Sequence, residues 1–387
     1  MTELGADWRV LDGVATAWFG TSSLTEGAAL AGRIVQISAD CAIDIRATGV
    51  RVRLVDGAHA AAVSELGLAA DPSVLQVVGV VLEASDPAAA QQFWQPVLDY
   101  VDEPTGGLVD PLRRDPDLRI RQSGEARPRR GRIHLDVVRP SEVVARVSPG
   151  EPSGPYGVRH ADPDGNEVDL VPGDPLGDGP GTADWQVVFA AMACYRVDSP
   201  EQQVQLAVAA ARCADVAEFP LLIDLRPGLV VMDSGKDQAD ADAHGLDLDF
   251  SDLAVALQAA ARDLGAIADP AQPRFVQLFL DAAEVPAVRA FWTAALGYVH
   301  DRRTGTTDIL DPLRLNPELV FQELDASDTE RREQRGRLHL ELAVPADMLT
   351  ARVDVAVAAG GRVLEESVDR CRVADPEGNE LVVIGRR

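Results

Sequence analysis

Asp162-Pro163-Asp164-Gly165-Asn166-Glu167 returns later in the chain as Asp375-Pro376-Glu377-Gly378-Asn379-Glu380. Other pairs fall around it in the same order. Trp8 matches Trp185, Ile43-Asp44 matches Ile223-Asp224, and Phe93-Trp94 matches Phe291-Trp292. Asp110-Pro111-Leu112-Arg113 matches Asp311-Pro312-Leu313-Arg314, and Gly131-Arg132-Ile133-His134-Leu135 matches Gly336-Arg337-Leu338-His339-Leu340. The spacing grows from about 177 residues at the tryptophans to about 213 at the opening motif. Matches that keep their order and drift only by small insertions mark two copies of one unit.

The 387 residues exceed what one core holds, so several domains are expected. No apolar stretch approaches the roughly 18 residues that suggest a membrane span. The first residues lack the basic and apolar regions of a signal peptide. Cys41, Cys194, Cys213 and Cys371 stand far apart and read as reduced thiols of a cytoplasmic protein. A net charge of −26 argues against nucleic acid or an anionic membrane as partner.

Asp174 to Gly181 is rich in Gly, Pro and Asp and reads as a linker at 174–182. Within each copy a second boundary falls at a proline, giving segments 1–72 and 74–173, then 183–268 and 273–387. The first segment of each copy opens on a short strand at the tryptophan. A helix follows over Ala28 to Ile37 or Val204 to Val216. Strands are expected over Ala42 to Arg46 and Val50 to Val55, then over Leu221 to Leu225 and Gly228 to Met232. A last helix closes a small α+β domain. The second segment opens on a strand, Leu75 to Leu82 or Phe275 to Leu280, before the Phe-Trp helix and further strands. The fold class throughout is α+β.

In the first segments, the tryptophan, the helix and the run from Ile43 to Leu54 resemble the pterin-4a-carbinolamine dehydratase family. That family carries a His-His-Pro motif before the Ile-Asp strand and a third histidine after the next one, which move protons during loss of a hydroxyl. Copy one lacks the motif between Ser38 and Ile43, and copy two retains only Pro220 of it, after Glu218 and Phe219. His59 reads as a surface helix residue and His244 as solvated in an acidic loop. A residual dehydratase role is therefore not expected, and these segments read as structural.

The second segments, with Phe-Trp, Gly-Arg-x-His-Leu and Asp-Pro-x-Gly-Asn-Glu in sequence, resemble the glyoxalase/bleomycin-resistance, or vicinal oxygen chelate, family. The resemblance implies paired βαβββ modules around a cupped sheet. In its metal-dependent members, ligands sit on the first and last strand of each module. A bound metal then holds two neighbouring substrate oxygens. Carried over, the first-strand position is Gly79 in copy one and Gln277 in copy two. The opening strand of the second module gives His134 and His339. The last strand gives Asp169 and Val382. The fourth position falls near Ile120-Arg121 or Gln322-Glu323, its facing residue open because strands alternate sides.

Some members build each site across a pair of domains. Gln277 and Glu323 (or Gln322) would then meet His134 and Asp169 around a divalent metal, while Gly79, His339 and Val382 would form no metal site. His134 with Asp136, and His339 with Glu341, are two apart on one strand face, so a carboxylate could orient each imidazole for base catalysis. The catalytic candidates are His134, Asp169, His339 and Glu341; the metal candidates are Gln277, Glu323, His134 and Asp169. The Asp-Pro-Leu-Arg repeats read first as turns, with Arg113 and Arg314 as alternative clamps for an anion. His160 and His300 read as loop residues. The expected protein is a lyase or isomerase acting on a small molecule, with its two glyoxalase-like domains as an intramolecular pseudo-dimer. The alternatives are a metal-free binding protein of the bleomycin-resistance type and a scaffold without chemistry.

Overall fold

The computed structural model describes residues 4–54, 57–103, 106–125 and 127–386; Met1, the first residue of the chain, and Val55, the last of an expected strand, lie outside the described residues. The chain forms two compact units. The first holds Met1–Leu75, Arg139–Val143 and Pro172–Arg274; the second holds Gln76–Val138, Val144–Val171 and Phe275–Arg387. Among the described residues no helix is long and apolar enough to cross a membrane.

In the first unit the expected helices begin earlier than their apolar spacing suggests, because polar caps extend them. Leu24–Ile37 starts after Ser23, whose hydroxyl accepts from the Glu26 N–H, while the Glu26 carboxylate accepts from the Ser22 N–H at 2.7 Å. Pro200–Val216 starts after Ser199, with Pro200 at the position that needs no N–H. The two Ile-Asp strands meet. Ala42–Arg46 pairs antiparallel with Leu222–Arg226, which sets the buried carboxylates of Asp44 and Asp224 opposite each other. Arginines from across the seam relieve that repulsion, Arg46 at 2.8 Å from Asp224 and Arg226 at 2.5 Å from Asp44, and Arg51 of the adjoining hairpin strand adds a contact of 2.6 Å to Asp44. Burial opposes ionisation of Asp44, yet Arg226 and its neighbours outweigh it and hold the carboxyl well below its usual range.

His59 is half-buried in the short helix Ala58–Ser64. His244, expected in solvent, is buried instead. Its Nδ1 accepts from the Leu246 N–H at 2.9 Å and its ring stands edge-on to Phe219. Packing on that aromatic ring draws the acidic segment inward.

The second unit contains two mixed sheets. In space, Arg362–Glu366, Arg370–Ala374, Glu380–Arg386 and Leu338–Pro345 are followed by Val77–Ala84, Leu118–Gln122, Leu108–Val109 and Val101–Asp102. The other sheet runs Arg159–Ala161, Glu167–Pro175, Ile133–Pro140, Phe275–Ala282, Leu319–Glu323, Ile309–Leu310 and Val299–His300. At each seam a strand from the first half of the sequence pairs antiparallel with one from the second half: Val77–Ala84 with Leu338–Pro345, and Ile133–Pro140 with Phe275–Ala282.

The Phe-Trp helices, Pro87–Leu98 and Val285–Leu296, bury Trp94, Phe291 and Trp292 completely in this unit's core. The indole N–H of Trp94 donates to Asp162 at 3.1 Å and that of Trp292 to Asp375 at 3.0 Å. Asp162 also accepts from the N–H groups of Asp164 and Asn166 and from the Asn166 side chain. The Phe-Trp and Asp-Pro-x-Gly-Asn motifs therefore recur together because one carboxylate bonds both. The turn needs glycine, since Gly165 and Gly378 have φ of 77° and 88°. The arginines of the Gly-Arg-x-His motif then cross between copies. Arg337 reaches Asn166 Oδ1 and the Gly165 carbonyl, both at 2.8 Å, and Arg132 reaches the Glu377 carbonyl at 2.8 Å.

Arg113 and Arg314, in repeats expected to be turns, sit with φ of 52° in the turns they end. Their side chains pair with Asp117 and Glu318 close by in sequence. Urea unfolding will show Asp162→Ala less stable by about 3 kcal/mol, because a buried indole N–H and turn amides lose their acceptor. Trp94→Phe will cost about 1 kcal/mol, the scale of one buried hydrogen bond.

Candidate metal centre and its counterpart

The seam between Ile133–Pro140 and Phe275–Ala282 sets Asp136 opposite Gln277 and His134 opposite Phe279. Because side chains alternate, His134, Asp136, Gln277, Phe279 and Asp281 share one face. Ile133, Leu135, Leu278 and Leu280 turn to the opposite face and join the core. The neighbouring strand Glu167–Pro175 brings in Asp169. One ligand atom each of His134, Asp136 and Asp169 lies within 4.8 Å of the others. His134 Nε2 is 3.7 Å from Asp136 Oδ1, and the imidazole stacks on Phe279 with centroids 5.2 Å apart. Gln277 joins the group through its amide, whose Nε2 donates to Asp136 Oδ2 at 3.0 Å.

Glu323 does not join it. It pairs with Ala282 and shares the strand face of Leu319 and Phe321, both core residues, so alternation points it away from the site. Gln322, opposite Asp281, has the facing position. Asp136, expected only to orient His134, lies within the ligand group instead. The two-residue spacing from His134 is the signal that could have included it. Neither imidazole hydrogen-bonds the carboxylate two residues on: His134 is too far from Asp136, and neither nitrogen of His339 has a hydrogen-bond partner.

His134 is only 3% exposed, and burial first, then Arg130, Arg159 and Arg331, push its pKa down to about 3. Those guanidinium groups are tied to carboxylates. Arg130 lies 2.5 Å from Glu167 and 3.4 Å from Asp281, Arg159 lies 3.5 Å from Glu167, and Arg331 pairs with Asp281. Burial raises the Asp169 carboxyl above its usual range, against the pull of Arg159. Three buried polar atoms of this group, His134 Nδ1, Asp169 Oδ1 and Gln277 Oε1, have no hydrogen-bond partner among the described residues, while Arg159 Nε lies 3.8 Å from Asp169 Oδ1. Buried polar atoms are rarely left so. A neutral imidazole with carboxylate and amide oxygens is a donor set suited to a divalent cation, so the residues fit one.

The other seam carries a different set. His339 faces Val81, Glu341 faces Gly79, and Val382 stands beside Glu341 on the third strand. Glycine and valine thus occupy the positions held by Gln277 and Asp169 at the first seam. Burial pulls His339 down to about 4. Glu341 is engaged by Arg119, by Arg121 at 3.0 Å and by Arg370 at 3.4 Å. His160 lies in a strand opposite Val168, not in a loop, and is buried there. His300 also lies in a short strand and is exposed.

The family profile described as a glyoxalase-like domain matches residues 79–171 and 277–384. No curated protein matches the chain. Among solved structures, glyoxalase I from Zea mays is similar over 80% of this chain and 93% of its own, at 10% identity and a TM-score of 0.36. A glyoxalase-related enzyme from Fulvimarina pelagi is similar over 28% of this chain and 84% of its own, at 21% identity and a TM-score of 0.23. A glyoxalase/bleomycin resistance protein from Albidiferax ferrireducens T118 covers 28% and 95% respectively, at 16% identity and a TM-score of 0.21. With its two profile matches spanning just over half of its length, the chain belongs to the glyoxalase-like domain family.

Proposed function

We propose that this protein is a lyase or isomerase of the vicinal oxygen chelate type, acting on a small oxygen-bearing molecule. Its one composite site takes His134, Asp136 and Asp169 from the first copy and Gln277 from the second, with a divalent metal among them. The observation that carries this reading is the set of buried, unbonded lone-pair atoms on His134, Asp169 and Gln277. When bound, the metal supplies Lewis acidity to neighbouring substrate oxygens. The chain's own groups divide the remaining work. His134, neutral at physiological pH, acts as a ligand or hydrogen-bond acceptor and not as an acid. Phe279 fixes the plane of its ring, and Gln277 holds Asp136 in place. Asp169, with its raised proton affinity, is suited to take a proton from a carbon beside a carbonyl.

The same reading treats the chain as a tandem duplication with the glyoxalase-like domains as an internal pseudo-dimer. The first segments become dehydratase-like scaffolds whose catalytic histidines are gone. A metal-free binding role is favoured by one observation, the ring of Arg130, Arg159 and Arg331 around His134, which repels a cation.

Elemental analysis of protein purified without added metal separates the two. About one divalent ion per chain is expected. His134→Ala and Asp169→Ala will lose it, and His339→Ala will keep it. Absence of metal, together with no saturable uptake on titration, would sink the metal reading; saturable small-molecule binding without metal would then support the second. A pH series gives an independent check of the buried histidines. Folded His339 takes up its proton only near 4, whereas the ordinary value is 6.5. Between those values the unfolded chain binds more protons, so this residue makes stability fall as pH drops from about 6.5 towards 4. Proton-detected NMR will show its ring still neutral at pH 5.5 if burial acts as described.

A further inference from the structure

The two seams share a frame and differ in lining. Glu167 and Glu380 bind Arg130 and Arg335, at 2.5 and 2.6 Å. Asp281 and Glu83 each hold two arginines, Arg130 with Arg331 and Arg335 with Arg127. The lining then diverges. Where the first site has Val320 and Gln322 on the adjoining strand, the second has Arg119 and Arg121. Arg370 has Gly157 as its counterpart in the repeat. The second site thus exchanges two metal-type ligands for glycine and valine and gains three guanidinium groups.

Those three groups converge on the single carboxylate of Glu341, whose side chain is only 4% exposed. Arg121 and Arg370 share that carboxylate, so one negative charge meets two positive ones, and the three guanidinium side chains keep 28%, 43% and 34% of their surface open to solvent. Opposite Glu341, Gly79 leaves room: a Cβ there would meet nothing closer than the Asp117 carbonyl at 3.8 Å. His339 lies two residues from Glu341 on the same strand face, 3% exposed, with no hydrogen-bond partner on either ring nitrogen among the described residues. A buried polar side chain without a partner beside a cluster of cations marks a place where a ligand completes the hydrogen bonding.

We propose that the second site is a metal-free receptor for a small oxyanion, a carboxylate or phosphate group on a metabolite, gripped by Arg119, Arg121 and Arg370. Glu341 occupies the anion position when the site is empty, and His339 completes the hydrogen bonding of the bound group. Guanidinium forks match both oxyanions in geometry, and their attraction is strengthened where the surroundings are partly buried. Glu341 competes with the ligand, so removing its charge frees the clamp without removing any donor.

Calorimetric titration of the full chain at low ionic strength, with inorganic phosphate and with malonate in separate runs, tests this. Saturable binding of at least one probe is expected, and the tighter probe identifies which oxyanion the site prefers. Glu341→Gln will tighten binding by about tenfold, and the double variant Arg121→Gln/Arg370→Gln will weaken it by about tenfold or more, as the loss of charge-assisted hydrogen bonds implies. Asp169→Ala, which alters only the first site, will bind the probes unchanged, so failure of the metal reading and failure of this one are separable. No saturable binding in either the native chain or Glu341→Gln overturns the proposal. So does binding of unchanged affinity in the double arginine variant. A gain of affinity in Glu341→Gln cannot arise from misfolding.

Discussion

The second unit depends on the antiparallel pairing of strands far apart in the sequence. Ile133–Pro140 finds its partner in Phe275–Ala282, and Val77–Ala84 finds its partner in Leu338–Pro345. Register here has little freedom. A slip of one residue in Ile133–Pro140 would turn Leu135 out of the core and His134 into it, and the same slip in Phe275–Ala282 would exchange Leu278 with Gln277. The alternation that buries the aliphatic side chains is the same alternation that gathers the polar ones. Packing and chemistry are set by a single choice.

Polar side chains then tie the two seams together. Arg337 and Arg132, each just before a seam strand, bind the Asp-Pro-x-Gly-Asn turn that adjoins the other sheet, and each turn is held through its aspartate to a buried tryptophan. The first unit solves a related problem differently. There the two Ile-Asp strands face each other directly, and crossed Arg46–Asp224 and Arg226–Asp44 pairs compensate two carboxylates buried side by side. Removing one member of such a set leaves the rest uncompensated.

Much of this was legible in the sequence, and the reasons differ by residue. The repeated motifs were readable because turns, tryptophans and the Gly-Arg-x-His run leave distinct residue types at fixed offsets. His134, Asp169 and Gln277 could be found by counting from those motifs, since a strand conserves spacing. The choice between Gln322 and Glu323 could not be made, because strand phase is set by the partner strand, here through Asp281. Asp136 was visible as the neighbour of His134, but its bond to Gln277 requires knowing that the copies pair. His244 was misread because charge and polarity in a loop suggest solvent, yet Phe219 buries it. Arg113 and Arg314 stand in the turns expected of them, where Asp117 and Glu318 pair with their side chains. The dehydratase-like reading of the first segments rests on their sequence pattern alone.

The crossed seams also shape how the chain reaches its native state. Val77–Ala84 cannot complete its sheet until Leu338–Pro345 has been made, more than 250 residues later. At about 5–20 residues per second, that is a wait of roughly ten to fifty seconds on the ribosome. During that time an apolar strand presents an open edge. Contacts of such long sequence separation also slow the search itself. Synthesis of this protein therefore favours help from chaperones that cover nascent strands, and the order in which the segments emerge becomes part of how the sheets are built.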